Sequence, residues 1–242
     1  MVTAKFEGRI GNQCFQIAHA VALALANNDV YQFPDPKAQG GLVYFTELPR
    51  LPHNISLSTT YKEKQFNFQK VPYQRDMRID GYWQSEKYFA HYRKEVISAL
   101  GFDWTKRNDN LVSIHVRRGD YVVNHAKHPP ITMDYITRAV NLFTKQGFTE
   151  FLVFSDDIPW CEENIKIAGA NFIFSVGRSE KEDIRRMSEC SHHVISNSTF
   201  SWWGAWLNRS PDKIVIAPKI WFGPSYAYHN TSDILPVDWI KL

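Results

Sequence analysis

Cysteine is scarce in this 242-residue chain: Cys14, Cys161 and Cys190 are odd in number and widely spaced. Such a set makes neither a disulfide framework nor a zinc pattern, and it suits a reducing compartment. Long apolar runs are missing too. The longest near the start, residues 17–26, contains His19 and is about half as long as a membrane span. Lys5, Glu7 and Arg9 break up the opening segment, so no secretory leader is expected and the chain reads as soluble and cytoplasmic, without a membrane span. Charge of one sign is also lacking. With 28 Lys and Arg against 25 Asp and Glu, the net +3 gives no ground for a nucleic-acid or anionic-membrane partner. No P-loop, nucleophile elbow or HExxH pattern occurs. His192, His193, His125 and His128 have no cysteine or carboxylate at zinc spacing, so no metal site is expected.

Apolar residues make up 44% of the chain, enough for a sizeable core, and aromatics alone reach 14%. The patterning alternates strand and helix. A short strand at 3–6, a glycine turn and a helix over 13–28 open the chain like a Rossmann unit, with a strand over 30–33 next. Prolines 49, 52 and 72 punctuate 42–77, which gives no clear element. A strand over 77–83 and a helix from a Ser85 cap to Leu100, stopped by Gly101, close the first half. The second half predicts strands at 111–116, 151–154, 171–174, 193–195 and 213–217. Helices lie at 133–145, 160–167, 180–188 and from about Phe200. This is the pattern of a parallel sheet with right-handed crossovers. A polar stretch at 106–110 separates the two series, dividing the chain into domains 1–107 and 108–242.

Three segments carry chemistry. Ile114-His115-Val116-Arg117-Arg118-Gly119-Asp120 lies where a buried strand runs into a loop, the edge at which open α/β sheets bind ligands. An arginine there forks two phosphate oxygens at any pH, or closes the turn by a salt bridge to Asp120. The segment 196–203, Ser-Asn-Ser-Thr-Phe-Ser-Trp-Trp, again follows a strand and opens a helix. Its hydroxyls and N-terminal N–H groups make an anion site, or an ordinary cap over core tryptophans. Together the two segments suit a diphosphate. Gly8-Arg9-Ile10-Gly11-Asn12-Gln13 permits close backbone approach but lacks the third glycine of a dinucleotide fingerprint. Asp156 and Asp157 read as helix caps rather than a metal-binding pair.

GRIGNQCFQIA at 8–18, GYWQSEKYF at 81–89, HVRRGDY at 115–121, SNSTFSWWGAWL at 196–207 and the closing Asp238-Trp239 resemble glycosyltransferase family 11, the α-1,2-fucosyltransferases. The resemblance spans nearly the whole chain, in the family's order. It implies an α/β fold of GT-B type, two Rossmann-like domains facing a central cleft. Residues 1–107 would be the acceptor side and 108–242 the GDP-fucose side, with the C-terminal tail packing back on the first domain. It further implies inverting transfer from GDP-fucose to the 2-hydroxyl of a galactose-terminated oligosaccharide, with no metal and no cofactor. Arg117 would stabilise charge on the departing β-phosphate, supported by His115 and Arg118. Ser198 and Thr199 would hold pyrophosphate oxygens, and Phe200 would pack on the nucleotide or fucose. Asp183 would read guanine or serve as a helix N-terminal carboxylate. Gly11 and Asn12 would approach the donor from the other domain. For the proton acceptor Asp120 is the candidate, unless it braces Arg117, and His125 is the alternative.

Two departures touch the acceptor half: Arg9 replaces a small residue in the first motif, and 41–77 looks like a trimmed first domain. Other readings are an O- or α-1,6-fucosyltransferase sharing the donor, and a non-catalytic nucleotide- or glycan-binding protein on the same scaffold.

Overall fold

A computed structural model describes residues 1–35, 44–52, 55–102 and 108–242. The chain divides into two compact units, Met1–Asp103 with His229–Pro236, and Trp104–Tyr228 with Val237–Leu242. The polar stretch expected at 106–110 falls partly outside the described residues. No helix among the described residues is long and apolar enough to cross a membrane.

In unit 1, β1 (Val2–Ala4), β2 (Thr59–Lys62) and β3 (Met77–Asp80) form a parallel sheet in the order β1-β3-β2. Helix α1 (Ile10–Ala26) follows β1 and buries Phe15, Ile17, Ala18, Val21 and Ala22. No side chain caps its start at Arg9. Two glutamines further along the helix tie the preceding turn instead. Gln13 Nε2 donates to the Gly8 carbonyl (3.1 Å), and Gln16 Nε2 donates to the carbonyls of Glu7 and Gly81 (3.2 Å each). Gly8 sits at φ +74°, and a Cβ there would collide with Asn12. Only glycine makes that turn cheaply.

Two local expectations fail here for physical reasons. Residues 30–33 make only isolated bridges, Val2 to Tyr31 and Phe33 to Arg50, because Pro34 removes the N–H that would extend a ladder. The helix expected from Ser85 to Leu100 breaks into 3₁₀ turns at Glu86–Tyr88 and Ala90–Tyr92, then α2 (Arg93–Ala99). Ser85 does cap, accepting from Lys87 N. Phe89 then leaves helical geometry at φ −146° with its ring fully buried, so core packing overrides the helical propensity. Gly101 ends α2 at φ +65°. Strand β2 lies in the stretch that patterning left without an element.

Unit 2 contains β4 (Asn108–Val116), α3 (Gly119–Val123), α4 (Met133–Thr144), β5 (Glu150–Ser155), α5 (Ile158–Asn164) and β6 (Asn171–Phe174). It continues with α6 (Glu180–Glu189), β7 (Cys190–Val194), α7 (Thr199–Leu207), β8 (Val215–Ala217) and β9 (Ile240–Lys241). All six strands are parallel, in the order β6-β5-β4-β7-β8-β9. Counted along the unit this is 3-2-1-4-5-6, the Rossmann order, whose switch point falls between its first and fourth strands. Val112, Ile114, Phe151, Val153 and Val194 of the sheet pack with Ile136, Val140 and Phe143 of α4 in one core. α6 and α7 pack closely, with Gly204 against the Met187 side chain. The three cysteines are buried and form no disulfide.

Candidate functional site

Because β4 pairs with β7, with Ile114 opposite Val194, the segments that leave these strands emerge side by side. One carries His115 to Asp120 and the other Ser196 to Phe200. His115 is buried, its Nδ1 2.8 Å from Ser196 Oγ and its ring 5.3 Å from that of Phe200. That contact joins the two sequence motifs directly.

Arg117 leaves β4 with its guanidinium 16% exposed, held between two carboxylates. Nη1 lies 2.8 Å from Asp156 Oδ2, and Nη2 donates to Asp120. The guanidinium also lies 5.5 Å from the centre of the Tyr121 ring. Arg118 turns the other way, over Trp160 at 3.8 Å, with Nε 3.1 Å from Asp157. Its backbone N–H donates to Asp156 (2.8 Å), and a Cβ on Gly119 would collide with that same carboxylate. Asp157 caps α5, accepting from Trp160 N, while Asp156 reaches back to the β4 loop. Patterning groups the two as caps; only the pairing of β5 with β4 brings Asp156 to Arg117.

On the β7 side Ser198 caps α7, accepting from Phe200 N (3.4 Å). The first N–H groups of a nine-residue helix lie here, where backbone dipoles favour an anion. Thr199 and Phe200 are half-buried. Asn197, which the motif reading passed over, donates from Nδ2 to the carbonyls of Pro129 and Trp221 (3.0 Å each). Its buried Oδ1 has no hydrogen-bond partner among the described residues. Tyr121 Oη donates to the Asn197 carbonyl (3.1 Å), and burial pushes the phenol up to about 12. Tyr121 and Asn197 both stand inside the quoted motifs, as polar residues between strand and helix; that was the available signal.

The remaining candidates belong to other elements. Asp183 is in the first turn of α6, the helix that follows β6 and packs on α7. It accepts from Ser175 Oγ (2.8 Å), and burial holds its carboxyl above the usual range. His125 is exposed in the loop after α3, its backbone carbonyl against Gly223. Gly11 and Asn12 belong to unit 1, Gly11 buried in the first turn of α1 and Asn12 accepting from Gln84 Nε2 (3.1 Å). Among the described residues no group of three or more His, Cys, Asp or Glu is placed to hold a metal ion.

The family model for "Glycosyl transferase family 11" matches residues 52–242. The chain belongs to that family. Family 11's match includes both motifs at the β4–β7 switch point and excludes the Gly8–Asn12 turn. Among curated proteins the chain is similar to "O-antigen biosynthesis glycosyltransferase WbnK" of Escherichia coli, 42% identical over 143 residues. That alignment covers 56% of this chain and 45% of WbnK. An "Alpha-1,2-colitosyltransferase" of E. coli is 27% identical over 290 aligned positions, covering 100% and 99% of the two chains. "Galactoside alpha-(1,2)-fucosyltransferase 1" of Leontopithecus chrysomelas is 25% identical over 83% of this chain. The chain thus spans 64% of that fucosyltransferase and less than half of WbnK.

Burial has a consequence for stability. It lowers the imidazoles of His115 and, on α1, His19 to about 3, so both are neutral in the folded protein. From pH 6.5 down to about 3 the unfolded chain binds protons that the folded one does not. Stability from these groups is therefore complete above pH 6.5 and is lost as pH falls. Thermal melts are expected to show Tm dropping steadily from pH 7 to pH 4, less steeply in His115→Gln. A flat Tm over that range would contradict neutral burial.

Proposed function

We propose that the chain is an inverting, metal-independent glycosyltransferase of the cytoplasm. It moves fucose from GDP-fucose to the 2-hydroxyl of a terminal galactoside, giving an α-1,2-linked product. The observation that carries this reading is the meeting of Arg117 and the start of α7 at the switch point of a Rossmann-ordered sheet. The family's α-1,2-specific relatives support the linkage. In this reading unit 2 binds the donor, unit 1 serves the acceptor, and the two parallel-sheet units are the halves of a GT-B enzyme.

An inverting transfer is a single displacement through an oxocarbenium-like transition state. The C–O bond to the leaving β-phosphate breaks as the acceptor oxygen attacks from the opposite face. Negative charge grows on the β-phosphate, so positive charge already fixed there stabilises the transition state more than the ground state. Arg117 supplies that charge, pre-oriented by Asp156. Asp120, 52% exposed and bound to Nη2, yields that nitrogen to a phosphate oxygen more readily than the better-covered Asp156 does. Released from Nη2, its carboxylate takes the proton that the attacking hydroxyl loses, with His125 as the alternative base, so that the step ends in the fucosylated galactoside and GDP. Ser198, Thr199 and the first turn of α7 receive the diphosphate. His115, neutral, holds Ser196 and backs Phe200 rather than adding charge. Arg118 braces the loop through Asp157 and Trp160. Asp183 accepts from guanine N–H groups, and Gly11 and Asn12 complete the donor contacts.

The test is GDP release from GDP-fucose in EDTA, with and without lactose. Lactose-stimulated release is expected. Tight binding without turnover on any galactoside would point to a binding protein, and no binding would overturn the reading. A second donor belongs in the assay, because the colitosyltransferase matches this chain over its full length. Faster turnover of a colitosyl donor would reassign the sugar while keeping the site.

A further inference from the structure

The C-terminal edge of the unit 1 sheet holds a half-buried carboxylate that the transfer reading leaves unused. Glu63 directly follows β2, and its backbone N–H donates to the Asp80 carbonyl at the end of β3 (2.8 Å). The side chain therefore sits under the turn that leaves β3. Both oxygens are engaged there: Oε2 accepts from Tyr82 N (2.6 Å) and Oε1 from Trp83 N (3.0 Å). Gly81 presses on the same side chain, where any Cβ would collide with it.

The gripped backbone is strained. Trp83 has φ +57°, a region bulky residues avoid at a cost of about 1–3 kcal/mol unless their surroundings impose it. Its indole is buried 4.6 Å from His19 and 5.4 Å from Tyr88, and its Nε1 has no partner among the described residues. From this turn two contacts reach the first motif. Gln84 Nε2 donates to Asn12 Oδ1 (3.1 Å), and Gln16 of α1 holds the Gly81 carbonyl (3.2 Å). Glu63 is thus the far anchor of a chain of bonds running through the 81–84 turn to Asn12.

Resting on the reading of unit 1 as the acceptor side, we infer that Glu63 is a positioning residue. Its ionised carboxylate fixes the 81–84 turn in the form that receives the acceptor galactoside. A protonated carboxyl grips less firmly. Its hydroxyl oxygen is a weaker acceptor, and its hydrogen must turn away from the facing N–H. Burial pushes the Glu63 carboxyl up to about 7, against the opposing pull of the two N–H groups, so the switch falls in the working pH range. The titratable neighbours do not compete. Tyr88, on the 3₁₀ turn, is pushed up to about 12, and His19 of α1 stays neutral. Tyr61 of β2 packs on Trp83, while Asp80 of β3 and Glu7 are both paired with Lys5.

If only the ionised form binds acceptor, the apparent KM scales inversely with the ionised fraction. Between pH 8 and pH 6 the acceptor KM is then expected to rise roughly tenfold for a group titrating near 7. Glu63→Gln should show the raised acceptor KM at every pH, and Glu63→Asp should restore part of the pH dependence. A second measurement needs no substrate and no variant. In ¹⁵N-labelled wild type, the amide resonances of Tyr82 and Trp83 should titrate together with a midpoint near 7. Amides that stay flat from pH 5.5 to 8.5 overturn the inference, as does an acceptor KM that is flat with pH or unmoved in Glu63→Gln. If wild type transfers to no galactoside, the functional reading fails instead, and the amide titration alone decides whether Glu63 grips the turn.

Discussion

Arg117→Ala is expected to lower kcat for transfer about 10³-fold, roughly 4 kcal/mol of transition-state stabilisation, while the protein stays folded. The two effects separate because the arginine's contacts serve orientation more than stability. Its partners are a half-exposed Asp120 and a carboxylate, Asp156, that keeps its bond to the Arg118 N–H when the guanidinium is gone. Ion pairs this near the surface contribute about 1 kcal/mol or less. Charge on a departing phosphate, by contrast, must be met by a cation already in place. Arg117→Lys should recover only part of the rate, because one ammonium cannot hold Asp156 and fork phosphate oxygens together. Initial rates at saturating donor, with a thermal melt on the same samples, make the check. A rate within about threefold of wild type in Arg117→Ala would remove this residue from the donor phosphate.

Trp202→Ala is expected to cost about 3–5 kcal/mol of stability and to lower Tm by on the order of 10 °C. Three tryptophans in SNSTFSWWGAWL invite the idea of a stacking platform for a sugar or base. The fold gives them another task. Trp202 and Trp203 are fully buried, and the Trp202 ring lies 5.2 Å from Trp203, 6.0 Å from Trp206 and 5.5 Å from Trp239. Truncating Trp202 opens a cavity that the three remaining indoles cannot close. Melting temperature and substrate KM, measured well below the transition, distinguish the two roles. A core residue moves Tm and leaves KM; a large KM change at constant Tm would place Trp202 against ligand.

Much of the candidate site is legible in the sequence. Arg117, Asp120, Ser198 and Thr199 stand out because a buried strand running into polar residues is a local signal. The carboxylates at 156 and 157 show where that signal stops. Capping needs only near neighbours, so Asp157 follows the rule. Asp156 contacts a loop 38 residues earlier, and no local pattern points there. The helix expected across 85–100 fails likewise, because Phe89 is claimed by the core. Glu63 is the extreme case. In the sequence it sits between two lysines in an uninformative stretch, and its partners Tyr82 and Trp83 are 19 and 20 residues away.

The sequence by itself determined most elements of unit 2, though not α3 or β9, with their order along the chain and the polar residues at the strand ends. Hydrophobic periodicity and capping are short-range, and short-range rules are written in consecutive residues. Only the tertiary structure decided that β4 pairs with β7, and so that two motifs about 80 residues apart form one site. Apolar burial is non-directional: it demands that strands be covered without specifying neighbours. Neighbours are settled when the helices between strands pack on both faces of the sheet, and that settlement carried His115 to Ser196 and Asp156 to Arg117.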